Sequence, residues 1–167
     1  ALIADQPGVT RDRMYGIASS GVHSFILIDT GGLHHGLKQA GALEKLVTGQ
    51  ALQAAREADA VIWLVDGREG LTTVDEELAV VLRPQCQRLY LAVNKTEGVN
   101  AALAIADFHK MGCRGPYAIS AQRGSGIQIL MDAIFADLPT TGSMPATTAT
   151  GLRITVLGRP NVGKSTL

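Results

Sequence analysis

The stretch LRITVLGRPNVGKS, residues 152–165, decides the fold. Its first six residues, LRITVL, are typical of a β-strand, and the remainder fits the pattern G-x-x-x-x-G-K-[ST]. Glycines let such a loop curl until its backbone amides point at phosphate oxygens. The lysine then reaches the β- and γ-phosphates, and the serine ligates Mg²⁺. The stretch therefore predicts a phosphate-binding loop, or P-loop, directly after a strand.

The P-loop is predicted to supply most of the nucleotide contacts. Lys164 is the candidate catalytic cation and Ser165 the candidate Mg²⁺ ligand. The predicted nucleotide-binding residues of this loop are Gly158, Arg159, Pro160, Asn161, Val162, Gly163, Lys164, Ser165 and Thr166.

Apolar runs of strand length alternate with segments of helical periodicity along the chain. This alternation predicts an α/β fold with a mostly parallel sheet and helices on both faces. A capping box from Thr73 to Glu76 is predicted to open the second helix. The predicted strands are 22–29, 60–65, 89–93, 116–120 and 152–157, and the predicted helices are 42–58, 73–83, 101–111 and 127–138.

Asn94-Lys95-Thr96-Glu97 follows a predicted strand, at the sheet edge where open α/β sheets bind ligands. It resembles the N-K-x-D motif, in which the acid accepts hydrogen bonds from the ring N–H and the exocyclic amine of guanine. Glu97 stands in place of the Asp, keeping the charge on a side chain one methylene longer. Asn94, Lys95 and Glu97 are therefore predicted to select guanine, and Ser120-Ala121, one helix and one strand later, to support the base from its other side.

Asp29-Thr30-Gly31-Gly32 matches D-x-x-G at the end of a predicted strand. All four residues are predicted to bind the nucleotide. Asp29 is expected to hold Mg²⁺ through water, and the Gly32 amide to sense the γ-phosphate.

The segments ADQPGVTRDRMYG, IDTGG, VNKTEG, ISAQRGSG and GRPNVGKSTL together resemble the bacterial tandem-G-domain GTPases of the Der (EngA) family, over nearly the whole chain. An ordinary GTPase begins with its P-loop, whereas here the P-loop comes last. The resemblance implies that residues 1–138 are a first G domain without its opening strand, P-loop and first helix. Residues 139–150 are then the linker, and residues 151–167 the first strand and P-loop of a second G domain.

The resemblance also implies an activity: hydrolysis of GTP to GDP and phosphate by an incomplete Ras-like G domain, in assembly of the large ribosomal subunit or its precursor. By the same resemblance Thr10 is a catalytic switch residue and Mg²⁺ ligand, alongside Ser165 and Asp29. Asn161 is a catalytic residue that coordinates an activating K⁺, which supplies positive charge at the transition state. Leu33 stands where Ras-like enzymes place a catalytic Gln, which Der-like enzymes also lack.

The chain by itself is expected to bind nucleotide weakly and to hydrolyse little, because the first domain's own P-loop is missing. One arrangement would change this expectation. A linker of ~12 residues spans up to ~40 Å when extended. Strand 152–157 could therefore fill the empty central position of the sheet and bring the P-loop beside Asp29.

Composition limits the other functional classes. Of 167 residues, 46% are hydrophobic and 18% charged, with zero formal net charge and two cysteines. This predicts a globular cytoplasmic protein with reduced thiols, without a membrane span or DNA binding. Three alternatives to the Der-like interpretation remain: a circularly permuted GTPase, a non-catalytic RNA or ribosome interaction module, and an ATPase, which the NKTE and SA segments argue against.

Overall fold

The computed structural model describes residues 13–30, 49–138 and 151–167. No helix in these ranges is long and apolar enough to cross a membrane. Two 3₁₀ segments, Ala106–Met111 and Lys164–Thr166, accompany the regular elements. The strands are β1 Arg13–Ser20, β2 His23–Thr30, β3 Ala60–Asp66, β4 Leu89–Asn94, β5 Arg114–Ala118 and β6 Leu152–Gly158, and the helices are α1 Gly49–Glu57, α2 Thr73–Leu82, α3 Ala101–Ile105 and α4 Ile127–Asp137.

The described strands form one six-stranded sheet in the order β1-β2-β6-β3-β4-β5. Only β1 is antiparallel to its neighbour, and all other neighbouring pairs are parallel. The predicted α/β architecture with a mostly parallel sheet is therefore confirmed. Because the parallel strands share one direction, the carboxyl ends of β2, β6, β3, β4 and β5 lie along the same edge.

Strand β6 occupies the centre of the sheet. It pairs with β2 from Phe25↔Leu152 to Asp29↔Val156 and with β3 from Ala60↔Ile154 to Leu64↔Gly158. Its last five residues are buried, as expected for a strand covered on both faces. The C-terminal strand thus fills the central position, the arrangement considered above as the condition for a complete site.

Two apolar clusters cover the two faces of the sheet. On one face Val61, Trp63 and Val65 of β3 pack with residues of α1, α2 and the first 3₁₀ segment. On the other, Ala60, Ile62 and Leu64 of the same strand pack with Leu130, Met131 and Ile134 of α4. Alternate residues of one strand point to opposite faces, so both helix layers are anchored on β3.

Strand β1 was missing from the predicted elements. RMYGIASS has no continuous apolar run, because it is an edge strand with Met14, Tyr15 and Ile17 exposed. The predicted helix 101–111 is an α-helix only to Ile105 and continues as a 3₁₀ segment. The predicted strand 116–120 begins two residues earlier, at Arg114. Of the predicted helix 42–58, residues 42–48 lie outside the described residues.

The predicted capping box is wrong by one residue. Thr72, not Thr73, caps α2, and its partner is Asp75 rather than Glu76. The sequence TTVDE offers both pairs at the required spacing. Thr72 has the extended backbone of an N-cap (φ −107°, ψ 158°), and buried Asp75 accepts from the Thr72 amide at 3.1 Å and from its hydroxyl at 2.7 Å. Burial of the aspartate selects this pair.

Candidate functional site

The P-loop follows β6 at the carboxyl edge and curls back on itself. Gly163 has φ +97°, and a Cβ there would lie 2.4 Å from Asn94 Nδ2, so glycine is required. Asn161 also has a positive φ, of 65°. The Lys164 ammonium donates to the carbonyls of Gly158 and Arg159, both at 3.0 Å. Burial lowers the pKa of Lys164, and the Asp29 carboxylate opposes that shift.

Asp29 and Ser165, the two predicted Mg²⁺ ligands among the described residues, lie side by side. The Ser165 hydroxyl donates to Asp29 Oδ2 at 3.1 Å across 136 positions of sequence. Asp29 Oδ1 is buried and has no hydrogen-bond partner among the residues that the structure describes. Carboxylate and hydroxyl oxygens are the hard donors that Mg²⁺ prefers, so the pair fits the ion.

Of the other predicted residues in the D-x-x-G and switch segments, only Thr30 is among the described residues. The Thr30 hydroxyl donates to the Val156 carbonyl at 2.8 Å and is buried, which ties β2 to β6. Predicted residues Gly31, Gly32 and Thr10 lie outside the described residues.

Asn94 joins the P-loop to the two segments that are predicted to recognise the base. Its Nδ2 donates to the Val162 carbonyl at 2.7 Å, and its Oδ1 accepts from the Ala121 amide at 2.8 Å. Asn94 is 3% exposed and Ser120 is fully buried, so this junction is inside the protein. Three segments that are distant in sequence thus meet at a single amide side chain.

Lys95 and Glu97 extend from the same loop and pair with residues that sequence reasoning missed. Lys95 Nζ lies 2.5 Å from Asp66 Oδ2. Burial by itself would raise the pKa of Asp66, but hydrogen bonds from Lys95 and the Arg68 amide outweigh it and the pKa is lowered. Glu97 Oε1 accepts from the Arg68 guanidinium at 2.6 Å. The only sequence signal for Asp66 and Arg68 was their position just after a buried strand.

The pKa of Glu97 is held below its ordinary value. The Ser120 hydroxyl beside it is the main cause, followed by the Glu97 backbone amide, with the Arg68 and Arg123 guanidiniums adding to the shift against desolvation. Glu97 is therefore an anion near neutral pH, ready to accept hydrogen bonds from a base.

Arg159 of the P-loop makes the second set of contacts that was not predicted. Its guanidinium lies 2.8 Å from Glu69 Oε2 and 3.2 Å from the buried Asp75 carboxylate, which also caps α2. This predicted nucleotide contact therefore points at the α2 terminus and anchors the P-loop there. Pro160 and Asn161 are exposed at the tip of the loop, and Val162 is buried beneath it.

The arrangement combines three chemical capabilities at one sheet edge. A curled backbone with a lysine suits a polyphosphate, a hydroxyl beside a carboxylate suits a divalent cation, and a partly desolvated anion suits a base with two adjacent N–H groups.

Comparisons with known proteins agree with this geometry. Residues 1–95 match the family model of the 50S ribosome-binding GTPase. A GTPase Der of Nitrosococcus oceani is 46% identical over 168 residues, covering 100% of this chain and 36% of that protein. A GTPase Der of Azoarcus is 42% identical over 167 residues, with 100% and 37% coverage. The chain thus spans just over a third of the length of these relatives, and the predicted resemblance is confirmed.

A solved structure supports the fold. The crystal structure of Era in complex with MgGDPNP and nucleotides 1506–1542 of 16S ribosomal RNA matches with a TM-score of 0.65 and 24% identity, over 87% of this chain and 51% of that one. At this identity the likeness concerns the fold, which is the Ras-like G domain that the motifs implied.

Proposed function

Because this chain belongs to the family of 50S ribosome-binding GTPases, we propose that its composite site binds GTP and hydrolyses it to GDP and phosphate. The contact that carries the proposal is the one between Ser165 and Asp29 at 3.1 Å. It brings Ser165 of the P-loop beside Asp29 of the D-x-x-G segment, and phosphoryl transfer in P-loop enzymes uses such a hydroxyl and such a carboxylate together at Mg²⁺.

The P-loop residues perform the phosphate chemistry. Backbone amides of the curled loop cradle the phosphate oxygens, and Lys164 turns from the carbonyls of Gly158 and Arg159 to the β- and γ-phosphates. Ser165 and Asp29 would hold Mg²⁺, which would neutralise charge on the phosphates when bound. Thr10 adds a further Mg²⁺ ligand in this proposal. The solved Era structure is a complex with MgGDPNP, which supports this choice of nucleotide and ion.

Potassium is the proposed activator. Asn161 presents an exposed amide at the P-loop tip, and an amide oxygen is a suitable donor for a monovalent cation. Its positive φ of 65° is one that Asn adopts more readily than most residues. The ion would add positive charge where negative charge develops in the transition state, in place of a residue such as the Gln absent at Leu33.

Guanine recognition is proposed for the second half of the site. Glu97 accepts from the base, Lys95 packs beside it, and the Ala121 amide, held by Asn94, lies on the opposite side. An adenine base lacks the paired N–H donors that Glu97 requires, so the alternative ATPase function is disfavoured.

The cellular role proposed for the complete protein is assembly of the large ribosomal subunit in the cytoplasm. The 50S-binding description of the family and the ribosomal RNA in the Era complex support a ribosomal partner. In this proposal residues 1–138 are the first G domain, residues 139–150 the linker and residues 151–167 the start of the second.

The position of β6 favours one alternative architecture. Since β6 pairs with both β2 and β3, the chain can act as a circularly permuted G domain with a single site. The composite site and its reaction are the same, but residues 151–167 would then belong to this G domain and would not be the start of a second one.

Equilibrium binding of a fluorescent GDP analogue to the 167-residue chain, with Mg²⁺ and K⁺, tests the proposal. Tight binding that is lost in Lys164→Ala is expected, with GTP competing and ATP not competing. The apparent Kd should not change with protein concentration if the P-loop acts within its own chain. A folded chain that binds neither GDP nor GTP contradicts the proposal.

A further inference from the structure

The turn Asp66-Gly67-Arg68, which begins at the last residue of β3, is hydrogen-bonded to the loop that carries Glu97. Gly67 N–H donates to the Asn94 carbonyl at 2.7 Å, and a Cβ on Gly67 would lie 2.8 Å from that same oxygen. Asp66 bridges the two segments, because one oxygen contacts Lys95 at 2.5 Å and the other accepts from the Arg68 amide at 2.9 Å. These contacts between Gly67 and Asn94 and between Asp66 and Lys95 therefore fix the position of the turn relative to the loop.

The fixed position of the turn places the Arg68 guanidinium next to Glu97. Arg68 Nη2 lies 2.6 Å from Glu97 Oε1, with an Arg68 side chain that is 62% exposed and a Glu97 side chain that is only 9% exposed. The other oxygen, Glu97 Oε2, is buried and has no hydrogen-bond partner among the described residues. A carboxylate has about four lone-pair sites, so the Arg68 contact leaves acceptor capacity on both oxygens.

A contact from Arg68 has a physical benefit because Glu97 is longer than the aspartate of the N-K-x-D motif. Glutamate has one more rotatable bond than aspartate, so its carboxylate loses more conformational freedom when it must face a base in one orientation. A guanidinium fixed on Oε1 removes part of that freedom beforehand, and it leaves Oε2 without a competing hydrogen bond among the described residues.

We propose that Arg68 is a specificity-determining positioning residue, which orients Glu97 so that both of its oxygens meet the paired N–H donors of guanine. The inference rests on the proposed function, since it concerns how the same site selects its base. Arg68 acts through Glu97 and not by contact with the phosphates.

Competition binding with GDP and with inosine diphosphate, which lacks the exocyclic amine, tests the role. A single N–H donor tolerates many carboxylate orientations, whereas two adjacent donors do not. Arg68→Ala is therefore expected to weaken GDP binding about threefold to tenfold and inosine diphosphate binding less, so that the ratio of the two affinities falls. Arg68→Lys, which keeps the charge but loses the fork, should give a smaller loss.

Two controls isolate the contact. Arg123→Ala removes another exposed guanidinium near Glu97, one that makes no side-chain hydrogen bond to Glu97 among the described residues, and it should leave both affinities within about twofold. In a Glu97→Asp background the carboxylate is one methylene further from Arg68, so adding Arg68→Ala should change nothing more.

The outcomes separate the inference from the proposed function. Wild-type chain that binds no GDP overturns both. Wild-type binding with an unchanged affinity ratio in Arg68→Ala, or with equal losses for the two nucleotides, overturns only the role of Arg68. Tighter GDP binding in Arg68→Ala also overturns it, since Arg68 would then compete with the base.

Discussion

At the scale of single residues, the site works through partners that lie far apart in sequence. Ser165 contacts Asp29, and Asn94 contacts both Val162 and Ala121. Each of these residues was identified from a local motif that specifies its type and its approximate role. Removing one side chain therefore affects at least two segments of the protein at once.

Asn161 allows a prediction at this scale. Asn161→Gly removes the amide while keeping the positive φ, because glycine adopts that conformation freely. Stimulation of GTP hydrolysis by K⁺ over Na⁺ should be lost, with GDP affinity within about twofold of wild type since only the transition state needs the ion. Steady-state phosphate release in the two salts measures this. Stimulation that persists in the variant would show that Asn161 does not hold the ion.

At the scale of secondary structure elements, helix α2 begins at a cap that also serves the P-loop. Asp75 is fully buried and closes the capping box with Thr72. The same carboxylate lies 3.2 Å from the Arg159 guanidinium. The start of α2 and the position of the P-loop are thus coupled through one charged group, which is paired as a buried charge must be.

The cap gives a prediction with a built-in control. Thr72→Ala should lower the free energy of unfolding by about 1 kcal/mol, because the Asp75 amide loses its acceptor and the Asp75 carboxylate loses a donor. Thr73→Ala, one residue later and exposed, should change it by less than ~0.5 kcal/mol. Urea unfolding of the two variants provides the comparison. A larger loss of stability in Thr73→Ala than in Thr72→Ala would instead support Thr73 as the cap, as predicted from the sequence.

At the scale of the whole molecule, one C-terminal strand completes the sheet. Ile154, Val156 and Leu157 are at most 1% exposed. Burial of such side chains contributes roughly 1.5–3 kcal/mol each, together comparable to the typical 5–15 kcal/mol stability of a domain. Strands β2 and β3 contact each other only through β6 in the described sheet, so stability and the composite site depend on the same strand.

Reconstitution tests this dependence. A chain ending at Leu138 should lose the cooperative urea transition of the full chain, and a synthetic peptide of residues 151–167 should restore it. Trp63 is a suitable fluorescence reporter because it is fully buried and is the register partner of Leu157. A matched peptide carrying Ile154→Asp should not restore the transition, since a charge would be buried without a partner. Equal stability of the shortened and full chains would contradict the central role of β6.

Much of the fold could be predicted because its signals are local. The apolar run 60–65 identified β3, a capping box placed one residue too late identified α2, and helical spacing identified α4. The half-exposed edge strand β1 was not predicted, because an edge strand with exposed side chains has only a weak apolar pattern in its sequence. The cap was misplaced because two threonines satisfy the same spacing, and only the burial of Asp75 distinguishes them.

The sequence by itself determined the P-loop motif and most of the strand and helix types, and it predicted the loop at residues 94–97 to recognise the base, since each of these depends on contiguous residues and on the periodicity of burial. Tertiary structure alone decided that β6 lies between β2 and β3, that Arg159 pairs with Asp75, and that Arg68 pairs with Glu97. These are contacts between segments whose distance in space is set by strand order. No local pattern encodes that order, because strands with the same burial pattern can occupy any interior position of a parallel sheet.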